Sequence, residues 1–251
     1  MILYPNSKIN IGLNILSRRD DGYHDISSVY YPVCYYFDIL EIIRSNKFKF
    51  SSSGISIPGK ENIVEKAFRL LQDNFNIPAV NIHLHKKIPI GAGLGGGSSD
   101  AAFTLKALNS LYGLELSQLE LEKYALILGA DVPFFIQNTP KYVQGIGESM
   151  SCLNLDLSEY TIRFINPGIH ISTAKAYDKI FPAHPKNSLK ELIKHPVKKW
   201  RENIINDFES SVFQDFPELD VLKQDLYSQG AVYASLTGSG SVLFGIFKKF
   251  D

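Results

Sequence analysis

The stretch Ile88-Pro-Ile-Gly-Ala-Gly-Leu-Gly-Gly-Gly-Ser-Ser-Asp-Ala-Ala102 decides how this chain folds. Glycine fills five of the seven positions from 91 to 97, directly before an alanine-rich segment with a helical apolar pattern. Glycine adopts positive φ and lets the backbone approach a ligand closely, and a helix N-terminus offers backbone N–H groups to an anion. The stretch therefore predicts a phosphate-binding loop, to which Ser98 and Ser99 add hydroxyl donors. A merely flexible linker is disfavoured because a patterned strand and a patterned helix adjoin the loop directly.

Two common phosphate-binding motifs do not fit this loop. A Walker A motif requires lysine before the Ser/Thr pair, where this chain has Gly97. The spacing Gly91-x-Gly93-x-x-Gly96 matches the dinucleotide fingerprint formally, but that fingerprint expects a second strand ending in an acidic residue about 20 residues later. The segment after the loop instead predicts one helix up to Gly113 and a second helix beginning after Ser117, so we regard the match as accidental.

The flanking segments predict an α+β protein, because strands come first and helices and strands then alternate irregularly. Lys8, Asn10 and Asn14 share the polar face of a strand with period two, and the pattern alone favours an exposed sheet face. Asn62 and Ser117 begin capping boxes with glutamate three residues later. Predicted strands cover 9–15, 29–37, 39–43, 47–51, 80–85, 141–144, 162–165 and 242–247, with another around Tyr233. Predicted helices begin at Asn62 and near residues 101, 117, 172, 200 and 219, and residues 181–197 form a connector with one short helix.

Bulk composition narrows the class of protein. The 251 residues carry 26 Lys+Arg and 26 Asp+Glu, and this zero net charge argues against binding of nucleic acid, which needs surplus positive charge. The only cysteines, Cys34 and Cys152, support neither a disulfide scaffold nor a zinc site. His83 and His85 share a strand face, but two histidines without a third ligand favour a solvated face over a metal site. No apolar run approaches ~18 residues, so we expect a cytoplasmic protein without membrane attachment.

The order of motifs along the chain resembles the GHMP kinases. The glycine loop is similar to their motif Pro-x-Gly-x-Gly-Leu-Gly-x-x-Ser-Ser, the strand at residues 8–14 resembles their N-terminal motif, and 236–241 (LTGSGS) resembles their third, glycine-rich motif. The charged turn at 18–24 (RRDDGYH), together with 95–101 (GGGSSDA), resembles the branch that acts on 4-diphosphocytidyl-2-C-methyl-D-erythritol in non-mevalonate isoprenoid synthesis.

This resemblance implies a two-lobed α+β fold, with a ribosomal-protein-S5-like ATP-binding domain over residues 1–150 and a ferredoxin-like domain over residues 151–251. It implies transfer of the γ-phosphoryl group of ATP to the 2-hydroxyl group of that small-molecule substrate, with Mg²⁺ as cofactor. We expect a monomer or a weak homodimer. The open alternatives are another GHMP small-molecule kinase, for homoserine or a sugar, and a nucleotide-binding sensor of the same fold that has lost catalysis.

The resemblance also assigns roles to residues. Asp131 matches the catalytic aspartate and Lys8 the lysine that orients it, although Asp131 alone is equally an N-cap and Lys8 a solvated strand residue. Asn62 is either an ATP ligand or only a helix cap, and Thr173 is either a substrate ligand or only a helix cap. The ATP-binding set is Asn62, Lys86, Pro89, Gly91, Ala92, Gly93, Leu94, Gly95, Gly96, Gly97, Ser98 and Ser99. The substrate-binding set is Asn10, Tyr23, His24, Thr173, Gly238, Ser239 and Gly240. Ser99 is the expected Mg²⁺ ligand, together with the phosphates of the nucleotide.

Overall fold

The computed structural model describes residues 1–59 and 61–249. The strands within these residues are β1 (Ile2–Leu3), β2 (Asn6–Arg18), β3 (His24–Phe37), β4 (Ile39–Arg44), β5 (Lys49–Gly54), β6 (Val80–Lys86), β7 (Lys141–Gly145), β8 (Ser149–Cys152), β9 (Tyr160–Ile165), β10 (Tyr233–Leu236) and β11 (Leu243–Lys248). The α-helices are α1 (Ile63–Phe75), α2 (Gly96–Tyr112), α3 (Gln118–Leu128), α4 (Val132–Gln137), α5 (Thr173–Asp178), α6 (Leu189–Leu192), α7 (Trp200–Asn203), α8 (Phe208–Asp215) and α9 (Pro217–Ser228), and a 3₁₀ turn covers Val197–Lys199. The predicted α+β class is confirmed.

Two compact units share the chain, and neither is continuous in sequence. Unit 1 comprises Met1–Lys8, Pro32–Ile90 and Gly95–Thr139, whereas unit 2 comprises Ile9–Tyr31, Gly91–Leu94 and Pro140–Asp251. The boundary predicted after residue 150 falls inside β8. The division into domains 1–150 and 151–251 stays a prediction.

Unit 1 is built on a four-stranded sheet in the order β1-β4-β6-β5, in which β5 and β6 are parallel and the other pairs antiparallel. Alternate residues of β4 and β6, such as Leu40 and Leu84, are fully buried, as the period of two predicts. Asn62 caps α1 with the predicted reciprocal bonds to Val64 and Glu65. After α2 the chain enters a further helix, α3, and the fingerprint match is therefore accidental as expected.

The two histidines of β6 face polar side chains of the neighbouring strand. His83 lies 2.9 Å from the hydroxyl groups of both Ser51 and Ser53 through its two ring nitrogens, and His85 lies 2.9 Å from the hydroxyl of Ser53. Among residues 1–59 and 61–249, no group of three or more His, Cys, Asp or Glu side chains is arranged to hold a metal ion. Hydrogen bonding across the sheet accounts for both histidines.

Unit 2 contains most of the sheet β2-β3-β7-β8 and the antiparallel sheet β10-β11-β9. Its core joins Leu13 and Ile15 of β2 with α8, α9 and β11, through residues such as Phe208 and Leu243. Helix α8 is not among the helices predicted from sequence. It is short, and only its inward side chains, among them Phe208 and Val212, carry an apolar pattern.

Burial of the polar side of β2 contradicts the exposed sheet face that its pattern favours. Lys8 is 3% exposed, Asn10 1% and Asn14 7%. Asn14 donates from Nδ2 to a carboxylate oxygen of Asp207 at 3.3 Å. Because polar groups are rarely buried without partners, this strand presents a hydrogen-bonding interior face and not a solvated one.

Candidate active site

The glycine loop takes the backbone conformation that its composition predicts. Gly91, Gly93 and Gly95 have φ values of 69°, 80° and 68°, which lie in the left-handed region that side chains with a Cβ disfavour. Gly95 occupies the N-cap position of α2, and no side chain caps that helix. The first N–H groups of an uncapped helix are left for a ligand, and the helix dipole favours an anion there.

Gly95 and Gly96 are needed because the loop passes close to other groups of unit 1. A Cβ on Gly95 would lie 3.0 Å from Cγ of Lys8 and 3.0 Å from Cζ of Phe135. One on Gly96 would lie 2.9 Å from Nζ of Lys86. Gly97 is different, since its nearest neighbour, Cγ2 of Ile63, would be 4.0 Å away. Gly97 therefore leaves open space at the start of α2.

Lys8 and Asp131 form the ion pair that the resemblance implies. Nζ of Lys8 lies 3.4 Å from Oδ2 of Asp131, and the side chain of Asp131 is 31% exposed. Burial lowers the pKa of Lys8, and the charge and hydrogen bonding of Asp131 oppose that shift. Asp131 precedes α4, but its side chain makes no capping hydrogen bond. Asp131 does occupy the N-cap position of α4, but it also pairs with Lys8, and its role in the site stays a prediction. The interpretation of Lys8 as a solvated strand residue is wrong, because Lys8 is buried.

Ser99 carries a buried hydroxyl group at the start of α2. The residue is fully buried, and its Oγ atom has no hydrogen-bond partner among the residues that the structure describes. A buried hydroxyl without a partner is costly, which fits a group that completes its bonding with a ligand. Hydroxyl oxygen suits Mg²⁺ bound to nucleotide phosphates, so the donor present fits the implied metal.

The remaining residues of the predicted ATP set divide into buried and accessible ones. Ala92 and Leu94 are 6% and 1% exposed, while Gly91 and Gly97 are exposed and Pro89 and Ser98 are half-buried. Asn62 forms the cap of α1, and Lys86 is buried between Asp38 and Asp100. The structure accounts for Asn62 and Lys86 without a nucleotide, so their direct contact with ATP stays a prediction.

In unit 2 the segment 91–94 packs against the second glycine-rich loop. The Oγ1 atom of Thr237 donates to the carbonyl oxygen of Gly93 at 3.1 Å, and the backbone N–H of Asn10 donates to that same Oγ1 at 3.1 Å. A Cβ on Gly93 would lie 1.8 Å from the carbonyl oxygen of Thr237. One on Gly240 would lie 2.3 Å from the carbonyl carbon of Ala92. The segment 91–94 and the second glycine-rich loop are therefore packed so closely that each restricts the backbone conformation of the other.

Sequence reasoning missed Thr237 and Ser28 as partners of the predicted substrate residue Asn10. Asn10 donates from Nδ2 to the hydroxyl of Ser28 at 2.9 Å. Thr237 stands beside the predicted residue Gly238, and this adjacency to a glycine motif is the one sequence signal that marks it. Asn206 fixes the same loop by donating to the carbonyl oxygen of Gly238 at 2.8 Å.

His24, a member of the predicted substrate-binding set, belongs to a group of stacked aromatic rings in unit 2. The ring of His24 stacks on that of Tyr177 at 4.6 Å with an interplanar angle of 18°, and Tyr177 meets Phe208 edge-on. Tyr23 is 61% exposed. Tyr177 was not predicted, although it follows Thr173 by one helical turn in α5 and so lies on the same side of that helix.

Thr173 and Ser239 come together as the substrate set predicts. The hydroxyl of Ser239 donates to that of Thr173 at 3.0 Å. Thr173 is the first residue of α5, whose N-cap position is taken by Ser172. The alternative that Thr173 is merely the helix cap is therefore wrong.

Family models match both halves of the chain. The GHMP kinases N-terminal domain matches residues 62–139, and the GHMP kinases C-terminal domain matches residues 188–251. These matches show that the chain belongs to the GHMP class of kinases.

More similar proteins define the branch of that class. A protein of Azobacteroides pseudotrichonymphae named 4-diphosphocytidyl-2-C-methyl-D-erythritol kinase is 50% identical over 254 residues, which cover 99% of this chain and 94% of that protein. A crystal structure of 4-(cytidine 5′-diphospho)-2C-methyl-D-erythritol kinase has a TM-score of 0.84 at 31% identity and covers 98% of this chain and 90% of its own. The chain belongs to the 4-diphosphocytidyl-2-C-methyl-D-erythritol kinase family, and it is an ATP-using phosphotransferase.

A more distant structure shares the fold alone. Homoserine kinase from Cytophaga hutchinsonii has a TM-score of 0.65 at 18% identity and covers 97% of this chain and 85% of its own.

Over the described residues, none of the helices combines the length and apolarity needed to cross a bilayer.

Proposed function

We propose that this chain transfers the γ-phosphoryl group of ATP to the 2-hydroxyl group of 4-diphosphocytidyl-2-C-methyl-D-erythritol, a step of non-mevalonate isoprenoid synthesis. The observation that carries the proposal is the Lys8–Asp131 pair, because a buried ammonium holds a half-buried carboxylate that makes no capping bond. Phosphoryl transfer to an alcohol is assisted by a group that accepts the hydroxyl proton and by positive charge near the reacting oxygens. The identity of the acceptor alcohol is taken from the relatives, which are named as kinases of 4-diphosphocytidyl-2-C-methyl-D-erythritol.

Asp131 is the proton acceptor in this proposal. It takes or polarises the proton of the acceptor hydroxyl while that oxygen forms its bond to the γ-phosphorus and the bond from the γ-phosphorus to the ADP oxygen breaks. Lys8 fixes the orientation of the carboxylate and stabilises the negative charge that develops on the attacking oxygen. Burial of Lys8 holds the pair in a fixed geometry, so little reorganisation is needed during the reaction.

The nucleotide phosphates bind at the first turn of α2 in this proposal. The N–H groups of the first turn after Gly95 and the space beside Gly97 support a close approach of phosphate oxygens. Ser99, together with the phosphates themselves, would hold Mg²⁺, which when bound neutralises phosphate charge. Asn62 and Lys86 remain candidates for the nucleoside side.

The cytidine moiety is recognised by the aromatic group of unit 2 in this proposal. An imidazole held by stacking, as in His24, is suited to hydrogen bonding the edge of a cytosine, and the exposed ring of Tyr23 is suited to stacking on its face. Asn10, Thr173 and Ser239 supply further polar contacts. Because ATP and cytidine-diphosphate-linked compounds are metabolites of the cytoplasm, we place the reaction there.

A coupled assay of ADP formation tests the proposal. We expect turnover with 4-diphosphocytidyl-2-C-methyl-D-erythritol and not with mevalonate or homoserine. Asp131→Asn should lower kcat at least ~10²-fold, the usual size of a general-base contribution. Asp73→Asn, which changes an exposed carboxylate of α1 in the same way, is the matched control and should keep full activity. Turnover of homoserine or mevalonate without turnover of the cytidine-containing compound would refute the proposed acceptor. A fully active Asp131→Asn variant would refute the role of Asp131 as proton acceptor.

A further inference from the structure

The segment 205–209 (INDFE), which leads into α8, is bonded to β2 within unit 2. The N–H of Leu13 donates to the carbonyl oxygen of Ile205 at 3.0 Å, and the N–H of Asp207 donates to the carbonyl oxygen of Leu13 at 2.8 Å. The carboxylate of Asp207 also accepts from the N–H of Ile15 at 2.8 Å. These bonds fix the segment along the strand, and we call residues 205–209 the clamp segment.

Asn206 connects the clamp segment to the end of β10. It is 2% exposed, and its Nδ2 atom donates to the carbonyl oxygens of Leu236 at 3.0 Å and Gly238 at 2.8 Å. Its Oδ1 atom accepts from the backbone N–H of Phe208 at 3.1 Å. Because the nitrogen and the oxygen of this buried amide are both bonded, its orientation is fixed. Asn206 therefore sets the position of two carbonyl groups at the start of the second glycine-rich loop.

Glu209 binds the same strand end through its carboxylate. Its Oε1 atom accepts from the hydroxyl of Ser235 and from the backbone N–H of Leu236, each at 2.9 Å. Its Oε2 atom accepts from Nζ of Lys223 in α9 at 2.6 Å, and this ion pair offsets the cost of burying a carboxylate that is 8% exposed. The clamp segment thus binds both the N–H and the carbonyl group of Leu236.

The second glycine-rich loop, which follows Leu236, brings members of the predicted substrate set together. The hydroxyl of Ser239 donates to that of Thr173 at 3.0 Å. Gly238 has a φ of 59°, and a Cβ on it would lie 3.5 Å from Oδ1 of Asn10. The placement of these residues therefore depends on the backbone that the clamp segment holds.

The bond from Asn206 also determines where the next N–H group points. In a trans peptide the carbonyl group and the following N–H group point in opposite directions. Because Asn206 holds the carbonyl oxygen of Gly238, the N–H of Ser239 points away from the clamp segment. Successive N–H groups bind an anion only when their directions converge, so a small rotation of this peptide weakens such a site.

We propose that Asn206 and Glu209 are positioning residues for the acceptor substrate: they hold the second glycine-rich loop in the conformation that binds its diphosphate group. This inference rests on the proposed function, since it takes the acceptor from there. Both side chains act through the backbone of the loop and are not catalytic residues. Their loss should weaken binding of the acceptor and leave binding of the nucleotide intact.

Asn206→Asp is the first test. The variant keeps the shape of the side chain but replaces the nitrogen donor by an oxygen that faces two carbonyl groups. We expect KM for the cytidine-containing substrate to rise about tenfold with a smaller change in kcat, the effect of losing buried hydrogen bonds that serve binding. The Kd of a non-hydrolysable ATP analogue, measured by calorimetric titration, should stay unchanged. Asn203→Asp is the matched control, because Asn203 is exposed and donates from Nδ2 to the carbonyl oxygen of Lys199 at 2.8 Å.

Two variants of Glu209 separate positioning from charge. Glu209→Gln and Glu209→Ala both remove the negative charge beside Lys223, but the amide oxygen of glutamine can still accept from Ser235 and Leu236. We expect Glu209→Gln to keep KM for the cytidine-containing substrate and Glu209→Ala to raise it about tenfold. Equal KM values for these two variants would refute positioning by Glu209.

Wild-type KM for the cytidine-containing substrate in a folded Asn206→Asp or Glu209→Ala protein would overturn the inference. An equal weakening of ATP-analogue binding would overturn it as well, because the change would then be a general loss of structure. If Asn206→Asp does not fold, the two variants of Glu209 decide. If Glu209→Ala does not fold either, these residues are required for the fold as a whole and the inference is refuted.

Hydrogen exchange of the loop without any ligand separates this inference from the proposed function. Exchange of the N–H groups at 236–241 should be about tenfold faster in Asn206→Asp and Glu209→Ala than in the wild type and Glu209→Gln. A wild type that does not phosphorylate the cytidine-containing compound refutes the proposed function, and the role of the clamp segment in holding the loop is then judged by exchange alone. Equal exchange in all four proteins refutes that role.

Discussion

Gly93 is where the two glycine-rich segments of unit 2 come closest together, and replacing it by alanine tests that packing directly. The new Cβ would lie 1.8 Å from the carbonyl oxygen of Thr237, where ordinary contact begins at 3.4 Å. Backbone on one side or the other must therefore move by more than ~1 Å, and overpacking of this kind costs about 1–3 kcal/mol. The φ of 80° adds about 1–2 kcal/mol for a residue with a side chain.

The total predicted for Gly93→Ala is roughly 2–5 kcal/mol of lost stability. For a chain of about 250 residues, 1 kcal/mol corresponds to ~2–4 °C in Tm, so we expect Tm to fall by at least ~5 °C in a thermal unfolding scan. Gly97→Ala is the matched control within the same motif. Its φ is not in the left-handed region, its Cβ would meet nothing closer than 4.0 Å, and alanine is about 0.5–1 kcal/mol better than glycine inside a helix.

The two variants should therefore separate stability from ligand binding. Gly97→Ala is expected to keep or raise Tm but to weaken ATP binding, because its methyl group occupies the space proposed for a phosphate. Gly93→Ala is expected to lose stability in the absence of any nucleotide. A Gly93→Ala protein with the Tm of the wild type, or a Gly97→Ala protein destabilised to the same degree, would refute the packing described for these loops.

Three further predictions concern single side chains. Because the pKa of Asp100 is raised to about 8, the folded state holds its proton more tightly than the unfolded state does. As pH rises from about 4 to about 8, the free energy of unfolding of the wild type should therefore fall by on the order of 5 kcal/mol relative to that of Asp100→Asn. Parallel curves of Tm against pH for the two proteins would exclude this. Ser99→Ala should lower kcat and raise the Mg²⁺ concentration needed for half-maximal rate, and an unchanged Mg²⁺ titration would remove Ser99 from the metal site. Tyr23→Ala should raise KM for the cytidine-containing substrate and leave KM for ATP unchanged, whereas an unchanged substrate KM would exclude stacking by Tyr23.

Features that depend on neighbouring residues could be predicted from the sequence. The capping boxes at Asn62 and Ser117 and the end of α2 at Gly113 are confirmed, because each uses side chains or backbone conformations within one helical turn. The charged turn at 18–24 is likewise a local feature, and it joins β2 and β3, which are neighbours in their sheet.

Features that depend on distant residues could not be predicted. The period of two in β2 showed that Lys8 and Asn10 share a face, but periodicity does not show what covers that face, and the exposed interpretation was wrong. The partners of Lys86 are 48 and 14 residues away in sequence, so nothing near Lys86 marks it as a buried cation. Family resemblance predicted the pairing of Lys8 with Asp131, and it proposed Lys86 for the site without predicting Asp38 and Asp100, the carboxylates that bind Lys86.

These carboxylates bear on how a chain with zero net charge binds a polyanion such as ATP, because they neutralise the lysines near the loop. Lys8 is paired with Asp131, and Lys86 is paired with both Asp38 and Asp100, so the two buried lysines of unit 1 bring no surplus positive charge to the phosphates. Attraction in the proposed site must then come from the uncapped N–H groups of α2 and from the metal. Backbone dipoles of this kind act only at short range, which explains why the loop needs glycines for a close approach of the phosphates.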